Sequence, residues 1–459
     1  MASILSVIFS IIYTIVIVAV IVLVIEQQRE PVWSFAWAMT VIFIPVAGLI
    51  LFILFGYRPA RKRLVAPPRI ERSERIPFIT LLENNSDAKL ALHNNLDVLH
   101  NGDQTFASIA QALESARESI HIEYYIFCED EVGNYIAEQL ERKAREGVEV
   151  RLIFDAVGSW KLSKEFISRL RASGVEVGRF SPITFPYFTH YLNYRNHRKI
   201  VVVDGRVAFT GGINIAERYL KGDTMGLWYD VHLRIEGDAV ADFQRLFLAD
   251  WTLVSGQTLN DPRFFPPSEV TRQAPMQVVG SSVSSRWSAI SQAFFAAITG
   301  AARTITISTP YFIPSTSLLE ALKVAALKGV DVRIVIPARS DSRLVHWATC
   351  SFVDGLLSAG VKVYLYTAGF LHSKLIAVDG RMASVGTANM DIRSLEDNSE
   401  VSTFIYDRET VAELTTTLED YIAHSRRVMP DEWYSRPQGQ RFIEALARLV
   451  SPLFSAPDK

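Results

Sequence analysis

The hydrophobic pattern of the chain begins with two long apolar runs. Residues 3–25 include no charged residue, and a second uncharged run covers residues 32–57. An apolar helix of roughly 20 residues crosses the hydrocarbon core of a bilayer. Because residues 26–31 are too few to form a domain, the pattern predicts a transmembrane hairpin over residues 1–57, with helices at about 3–25 and 33–57.

The second apolar run carries Trp33, Trp37 and Tyr57 near its ends, as interfacial aromatic residues do. Pro45 lies inside this run, and a membrane helix tolerates proline better than a soluble helix does. A cleaved signal peptide is the alternative, but no charged residue precedes the first run and no cleavage site leads into soluble chain. The hairpin is therefore the favoured interpretation.

A basic linker is predicted over residues 58–95. Between residues 58 and 75 the chain has seven basic and two acidic residues, a net charge of +5, whereas the loop at 26–31 has a net charge of −1. Positive charge stays on the cytoplasmic side of membrane helices. We therefore expect both termini and everything that follows the hairpin on that side.

After the linker the sequence repeats itself. Residues 120–127 (IHIEYYIF) match residues 305–312 (ITISTPYF), residues 146–154 match 328–336, and residues 172–177 match 358–363. Several blocks recur in the same order, which argues against chance similarity. A duplication of one structural unit is the simplest explanation.

The matched blocks are rich in β-branched residues and are typical of strands, and the segments before them have helical spacing, as at residues 107–116 and 136–144. Gly147 and Gly329 fall where a helix would end before the next strand. The pattern predicts an α/β fold with two homologous domains, at 96–270 and 271–430, around a largely parallel sheet. Residues 431–459 form a C-terminal tail whose amphipathic segment fits either a membrane surface or the second domain.

Composition and charge narrow the class of protein. The chain has 459 residues, 49% hydrophobic and 21% charged, which excludes a disordered polyanion and a collagen-like fibre. Two cysteines, Cys128 and Cys350, do not make a disulfide framework. The net charge of −2 leaves −6 for residues 76–459, a poor match for a nucleic-acid backbone. We therefore expect no nucleic-acid partner.

The candidate chemistry lies in the last repeated block. Residues 196–205 (NHRKIVVVDG) match residues 371–380 (LHSKLIAVDG), and in both copies a histidine is followed by lysine at +2, aspartate at +7, glycine at +14 and asparagine at +17. These residues are His197, Lys199, Asp204, Gly211 and Asn214 in the first copy, and His372, Lys374, Asp379, Gly386 and Asn389 in the second.

The spacing of these residues suggests their chemistry. On a strand, alternate residues share a face, so each histidine would lie beside a lysine, as a nucleophile or acid beside an anion-binding cation. Asp-Gly between apolar runs predicts a hairpin turn, so part of the aspartate signal is structural. The glycines allow close approach on the returning strand, and an asparagine amide there can donate to an anion.

These motifs resemble those of the phospholipase D superfamily, whose signature is H-x-K-x4-D followed by a G-x-x-N-type tail, present twice. The N-terminal apolar pair ending in FGYR at 55–58, and WYDVH at 228–232, are similar to those of bacterial cardiolipin synthases. The resemblance covers essentially the whole chain. It implies a multi-pass protein of the bacterial inner membrane with its catalytic domains on the cytoplasmic side.

The resemblance also implies the site. The two domains would form a pseudo-symmetric pair that brings both motifs to one pocket, with His197 as nucleophile and His372 as general acid and then base; because the motifs are nearly symmetric, the reverse order stays open. No metal and no cofactor are expected. The other expected site residues are Lys199, Lys374, Asn214 and Asn389 as phosphate ligands, Asp230 and Glu400 as acids that orient the histidines, and Asp204 and Asp379 as motif residues that mainly support the turns.

The function that follows is transphosphatidylation, in which two phosphatidylglycerol molecules give cardiolipin and glycerol through a phosphatidyl-histidine. Its partners would be membrane phospholipids, and a homo-oligomer is compatible with the sequence. A hydrolytic phospholipase D or another phosphatidyltransferase would share the same residues. A membrane-bound nuclease and a non-catalytic scaffold fit less well, and His232 is expected to be structural.

Overall fold

The computed structural model describes residues 2–26, 31–44, 46–52, 56, 76–182, 194–282 and 284–450, and the chain forms two compact units. The first unit contains helices Ala2–Glu26, Pro31–Phe43 and Ala47–Leu51. The hydroxyl of Tyr13 donates to the carbonyl of Val41 at 3.0 Å, so the first two helices pack side by side.

The N-terminal helices differ from the prediction in one respect. The helix expected over 33–57 ends at Phe43 and a short one begins at Ala47, and the sequence has Pro45 between them. Proline removes a backbone donor and clashes with the preceding turn, which interrupts a helix. In the described part of the chain, no helix combines the length and the apolar character that crossing a membrane requires. The basic stretch at 58–75 lies outside the described residues.

The second unit holds both repeats. Its helices are Pro77–Ser86, Asn101–Ser115, Glu131–Arg145, Lys164–Ala172, Arg218–Lys221, Val240–Ser255, Ala289–Gly300, Thr316–Leu327, Arg343–Ser358, Ile392–Glu396, Arg408–Ala423, Pro430–Tyr434 and Gln438–Val450, with a 3₁₀ turn at Pro262–Phe264.

The strands of the first repeat are β1 (Ala91–His100), β2 (Ser119–Tyr124), β3 (Glu149–Asp155), β4 (Glu176–Phe180), β5 (Lys199–Val203), β6 (Val207–Gly211), β7 (Trp228–Tyr229) and β8 (Val231–Gly237). Those of the second are β9 (Gln273–Ser281), β10 (Thr304–Ser308), β11 (Phe312–Ile313), β12 (Asp331–Pro337), β13 (Lys362–Tyr366), β14 (Phe370–Leu371), β15 (Leu375–Val378), β16 (Met382–Gly386), β17 (Met390–Asp391), β18 (Glu400–Ile405) and β19 (Ser425–Arg427).

One sheet runs through both repeats. Fifteen described strands form it in the order β19-β13-β12-β10-β15-β16-β18-β9-β1-β8-β6-β5-β2-β3-β4. Reading outward from the antiparallel β1–β9 pair, β8, β6, β5, β2, β3 and β4 match β18, β16, β15, β10, β12 and β13 in order. The duplication seen in the sequence is therefore a pseudo-two-fold arrangement of strands. The domain limits at 96–270 and 271–430 stay predictions.

The expectation of a largely parallel sheet is wrong. Parallel neighbours occur in the β2–β3–β4 and β10–β12–β13 groups, whereas the middle of the sheet is antiparallel. The difference arises because the motif strands return through tight hairpins, β5 to β6 and β15 to β16, instead of helical crossovers.

Several local predictions are confirmed. Helices Asn101–Ser115 and Glu131–Arg145 cover the predicted helical patterns. Gly147 and Gly329 have φ angles of 94° and 91°, the left-handed conformation that ends a helix at low cost for glycine. Each glycine stands between the end of a helix and the strand that follows it.

The helix Gln438–Val450 packs on the second repeat. Ala447 is 3% exposed, and the guanidinium of Arg448 lies 4.3 Å from the centre of the Phe352 ring. Phe442 and Leu449, by contrast, are 70% and 71% exposed. One face of the tail is therefore packed against the protein and another is apolar and open.

Candidate active site

Each motif places its histidine and lysine at or just before the start of an interior strand of the sheet. β5 begins at Lys199 and β15 at Leu375, so His197 and His372 lie just before their strands. All four motif side chains are buried, with exposures of 5% for His197, 0% for Lys199, 0% for His372 and 6% for Lys374.

The two histidines pair with acids of the opposite repeat. His197 Nδ1 lies 2.9 Å from Glu400 Oε2, and His372 Nδ1 lies 2.7 Å from Asp230 Oδ2. In sequence, each acid follows the histidine of its own repeat, but the hydrogen bonds cross between repeats. A carboxylate on one ring nitrogen fixes the tautomer and leaves Nε2 for chemistry. Each motif histidine therefore takes its orienting acid from the other repeat.

Main-chain hydrogen bonds hold this crossed arrangement. The N–H of His197 donates to the Ser399 carbonyl at 2.9 Å, and the N–H of Ser399 donates to the Arg195 carbonyl at 2.9 Å. The N–H of His372 donates to the Tyr229 carbonyl at 2.8 Å. Each histidine is thus fixed by the backbone of the other repeat, next to the acid that it needs.

The lysines lie beside the histidines. Lys374 Nζ is 2.8 Å from Nδ1 and 3.0 Å from Nε2 of His372. Lys199 Nζ donates to the His197 carbonyl at 2.9 Å and lies 5.7 Å from the centre of the Tyr125 ring. Buried cations in a low-dielectric site stabilise developing negative charge much better than solvated ones. The arrangement is suited to bind an anion, with a lysine from each motif to stabilise its charge.

Glu400 is held as an ionised acid. Thr387 Oγ1 donates to Glu400 Oε2 at 2.5 Å, and Asn398 Nδ2 donates to Glu400 Oε1 at 3.2 Å. Burial by itself raises the pKa of Glu400, but the charge and hydrogen bond of His197, with the charge of Lys199, outweigh it and lower that pKa. A permanently charged carboxylate beside His197 raises the basicity of that imidazole.

Glycines at the ends of the returning strands allow a close approach of the neighbouring chain. A Cβ atom on Gly212 would lie 2.2 Å from Asp230 Oδ1, and one on Gly211 would lie 2.6 Å from His232 Nδ1. In the second repeat a Cβ atom on Gly386 would lie 2.7 Å from Ser402 Oγ. The predicted close approach at the glycines is confirmed, and the approaching groups belong to the strand that carries the orienting acid.

The two asparagines are placed differently. Asn214 is fully buried; its Oδ1 accepts from the Ile126 N–H at 3.2 Å, and its Nδ2 donates to the Tyr219 hydroxyl at 2.7 Å. Asn389 lines a pocket next to His197, and its Oδ1 has no hydrogen-bond partner among the described residues. Both follow the end of the returning strand. Their expected role as phosphate ligands stays a prediction.

The motif aspartates lie away from this chemistry. Asp204 accepts hydrogen bonds from the N–H groups of Arg117, Glu118 and Ser119, each at 2.8 Å. It follows β5, roughly 20 Å along the strand from His197, which precedes it. Placing Asp204 among the catalytic residues therefore disagrees with the geometry, because its carboxylate ties a hairpin turn to the start of β2.

Asp379 does the same in the second repeat. Its carboxylate accepts from the N–H groups of Ala302, Arg303 and Thr304 at 2.7–2.9 Å. Asp204 and Asp379 have φ angles of 51° and 55°, which an aspartate adopts in tight hairpins. The predicted turns are confirmed, and both carboxylates are structural at these positions.

A buried charged network lies behind His197. Arg198 donates to the Asp250 carboxylate and to the carbonyls of Glu400, at 3.2 Å, and Ser281, at 2.9 Å. Burial and the neighbouring Asp250 raise the pKa of Glu123 well above its ordinary value. Arg198 therefore ties the first motif to the strands of the second repeat.

His232 remains apart from these contacts. It is fully buried, and neither ring nitrogen has a hydrogen-bond partner in the part of the chain that the structure describes. Burial lowers the pKa of His232 to about 3, so the ring is neutral at ordinary pH. Its expected structural role stays a prediction.

A pocket opens at His197. Its wall includes residues from both repeats: Tyr125, Arg195, His197, Tyr311, Ile313, Val345, Asn389, Asp391, Arg393, Ser394 and Asn398. Sequence reasoning did not single out Arg195, Arg393 or Asn398. The only signal was their closeness to the motifs, because Arg195 stands two residues before His197 and Asn398 two before Glu400.

Family models match most of this arrangement. The model described as "Cardiolipin synthase, PLD-like domain" matches residues 109–251 and 294–422, one match in each repeat. The model described as "Phospholipase_D-nuclease N-terminal" matches residues 14–56. The duplicated body and the N-terminal apolar segment thus have separate counterparts in known families.

Whole-chain relatives carry the same name as the first model. Cardiolipin synthase of Geobacillus kaustophilus is 40% identical over 451 residues, covering 93% of this chain and 90% of the relative. The major cardiolipin synthase ClsA of Bacillus subtilis is 38% identical over 457 residues, covering 93% and 95%. Among solved structures, phosphatidylserine synthase of Haemophilus influenzae is 16% identical with a TM-score of 0.62, covering 79% of this chain and 96% of that one, a likeness of fold.

Proposed function

The chain belongs to the cardiolipin synthase family of phospholipase D-like proteins, and we propose that it joins two phosphatidylglycerol molecules into cardiolipin and releases glycerol. One observation carries this proposal for the site: two histidine–lysine pairs, each histidine bonded to an acid of the other repeat, are buried in one compact unit. Two histidines supply both a nucleophile and a proton donor for a displacement at phosphorus.

In the first step, Nε2 of His197 attacks the phosphorus of one phosphatidylglycerol. The bond from phosphorus to the glycerol oxygen breaks, a phosphorus–nitrogen bond forms, and His372 gives its proton to the departing glycerol. Lys199 and Lys374 stabilise the charge on the phosphoryl oxygens, since both are buried beside the histidines. Glu400 holds the Nδ1 proton of His197, which keeps Nε2 free.

In the second step, a head-group hydroxyl of another phosphatidylglycerol attacks the same phosphorus. Its proton passes to His372, the phosphorus–nitrogen bond breaks, and cardiolipin leaves. Because one phosphodiester replaces another, the exchange needs no nucleotide. Asp230 stabilises the cationic state of His372 in both steps, at 2.7 Å from its Nδ1.

Water competes with the second phosphatidylglycerol. Hydrolysis of the phosphatidyl-histidine would give phosphatidic acid, the product of a hydrolytic phospholipase D. His197 is 5% exposed and His372 fully buried, which supports transfer over hydrolysis because a closed site excludes water until the acceptor enters.

Membrane attachment forms a further part of the proposal. The uncharged runs at 3–25 and 32–57, with the N-terminal family match at 14–56, support an anchor in the inner membrane with the catalytic body on the cytoplasmic side. Membranes washed with alkaline carbonate should retain the full-length protein. Release of the protein by that wash would overturn the anchor without touching the catalytic proposal.

The catalytic proposal is tested with purified full-length protein and phosphatidylglycerol as the sole lipid substrate. Wild type should form cardiolipin and equimolar glycerol, whereas His197→Ala and His372→Ala should form neither. His93→Ala is the matched control, because His93 forms a similar His–Asp pair with Asp238, at 3.2 Å, on the surface. Formation of phosphatidic acid in place of cardiolipin by wild type, or full activity in either motif variant, would overturn the proposal.

A further inference from the structure

The pocket at His197 has an unusual wall. Three of its buried side chains carry a polar atom without a hydrogen-bond partner among the described residues: Nε of Arg195, Oδ1 of Asn389 and Oδ1 of Asn398. Their exposures are 1%, 5% and 8%. Resting on the proposed function, we infer that this pocket is the subsite for the glycerol head group, and that Arg195 and Asn398 select a polyhydroxyl acceptor.

Unsatisfied buried polar atoms are uncommon, since nine in ten or more such groups have a partner. These three come from separate segments, before β5, after β16 and before β18, yet meet at one pocket. A polar ligand in the pocket would supply the missing partners, whereas an apolar one would leave all three unsatisfied.

The other polar atoms of Arg195 and Asn398 are already engaged. Arg195 Nη1 bonds Asp155 Oδ1 at 3.2 Å, and both terminal nitrogens donate to the Ser181 carbonyl at 3.4 Å. Asn398 Nδ2 donates to Glu400 at 3.2 Å. These bonds fix the orientation of each side chain, so the unpartnered donor and acceptor are preorganised rather than free to turn elsewhere.

The donor and acceptor types define the ligand. Two amide oxygens accept hydrogen bonds from hydroxyl groups, and the Arg195 N–H donates to an oxygen. A glycerol head group offers hydroxyls that do both. The wall carries two cations, Arg195 and Arg393, and one carboxylate, Asp391. This excess of cations disfavours an ammonium head group and is compatible with a neutral polyol beside a phosphate.

The pocket adjoins the atom that carries the phosphatidyl group in the proposed mechanism. A head-group hydroxyl held there attacks phosphorus, the bond from phosphorus to His197 Nε2 breaks, and the hydroxyl proton passes to His372. The remaining hydroxyls keep their bonds to the wall during this step. Because glycerol leaves and the acceptor enters on the same side of phosphorus, opposite His197, the wall holds the leaving glycerol of the first step as well as the acceptor of the second.

The test compares two three-carbon alcohols that differ only in hydroxyl groups. Purified full-length enzyme receives phosphatidylglycerol with deuterated glycerol and 1-propanol at equal concentration, and mass spectrometry measures deuterated phosphatidylglycerol, phosphatidylpropanol and cardiolipin. Two lost hydroxyl contacts at about 2- to 10-fold each predict that wild type prefers glycerol by about 4- to 100-fold. The amount of cardiolipin measures transfer to the glycerol head group of a lipid, and the amount of deuterated phosphatidylglycerol measures transfer to free glycerol.

Two variants address the wall directly. Arg195→Lys keeps the cation for Asp155 but removes the Nε donor, and Asn398→Leu removes the acceptor at similar volume. Each should lower the glycerol-to-propanol ratio by about 3- to 10-fold. Arg151→Lys is the matched control, because Arg151 is also a buried ion-paired arginine with an unpartnered Nε, but it is not part of this pocket wall. Its ratio should equal that of wild type.

The ratio isolates acceptor choice, because both products arise from the same phosphatidyl-enzyme. Any loss of rate through Glu400 lowers both equally. No preference for glycerol in wild type, or an unchanged ratio in both variants, overturns the subsite. Should one variant fail to fold, the wild-type ratio and the other variant still decide. Absence of all transfer products in wild type would instead overturn the proposed function.

Discussion

The crossed histidine–acid pairs predict that the two acids have different roles, and that a change of leaving group in the substrate distinguishes these roles. Glu400 orients His197, the proposed nucleophile, and Asp230 orients His372, the proposed proton donor. The perturbations are Glu400→Gln and Asp230→Asn, which keep shape and remove charge. Replacing glycerol by p-nitrophenol as leaving group removes the need for a proton donor in the first step, because p-nitrophenolate is a weak base.

The magnitude follows from the geometry of the pairs. Both are buried hydrogen bonds shorter than 3.0 Å to a carboxylate, and loss of the orienting charge in comparable catalytic arrangements costs up to about 10⁴-fold in rate. We expect losses of about 10²- to 10⁴-fold with phosphatidylglycerol for both variants, or about 3 to 5 kcal/mol in barrier. With phosphatidyl-p-nitrophenol, Asp230→Asn should recover most of the first-step rate and Glu400→Gln should not.

The assay is the initial burst of p-nitrophenolate, followed by absorbance in stopped flow. Asp238→Asn serves as control, since Asp238 pairs with His93 at the surface and its loss should leave both substrates unaffected. The opposite pattern, with Glu400→Gln recovering, would make His372 the nucleophile. Equal losses on both substrates, or full activity in either acid variant, would refute the reasoning about orientation.

Three further predictions follow from individual contacts. Asp379→Asn should destabilise the fold by about 1 to 3 kcal/mol in urea titrations at neutral pH. Burial by itself raises the pKa of Asp379, but the backbone N–H donors outweigh it and lower that pKa. The difference in unfolding free energy between wild type and the variant should therefore shrink as the pH falls below about 4. Gly212→Ala should abolish cardiolipin synthesis in the phosphatidylglycerol assay because its Cβ would meet the Asp230 carboxylate, whereas Gly439→Ala, in open helix, should raise Tm slightly. Thr387→Val should reduce kcat about 3- to 10-fold by removing one donor to the orienting acid, and an unchanged kcat would contradict that role.

Much of the site could be predicted because the regular geometry of a strand hairpin fixes the spacing of the motif residues in the sequence. His197 precedes β5 and Asp204 follows it, so their spacing is set by the strand length plus the turn. The +14 glycine faces the strand that carries the acid. A regular strand pair therefore converts positions in space into fixed intervals in sequence, and a duplicated interval is easily recognised.

The crossing of the acids could not be predicted from the same intervals. Asp230 and Glu400 stand at similar distances after their own histidines, which fits either pairing. The choice depends on how β14 aligns beside β7 and how Asn196 pairs with Ser399, which are contacts between residues far apart in sequence. Likewise the antiparallel middle of the sheet arises from hairpins, which hydrophobic alternation alone does not distinguish from crossover connections.

The pocket wall was missed for a related reason. Arg195 and Asn398 have no repeated counterpart, so a search by internal symmetry passes over them. In the proposed function these two residues contribute to a difference between the motifs, because the two motif histidines take part in one reaction but have different roles in it. Residues that recur in both repeats indicate the chemistry that the two motifs share. Residues without a counterpart in the other repeat indicate how the two motifs differ.

The surroundings of the two histidines show this asymmetry directly. His197 lines a pocket with unpartnered donors and acceptors, whereas His372 is enclosed by Trp228 and Phe370, with ring centres 5.2 Å and 5.9 Å away. A histidine that must carry a phosphatidyl group needs space for an incoming acceptor beside it. A histidine that only exchanges protons needs a fixed ring and a buried acid. The identical motifs leave the two roles open, and the difference in their surroundings favours His197 as the residue that carries the phosphatidyl group.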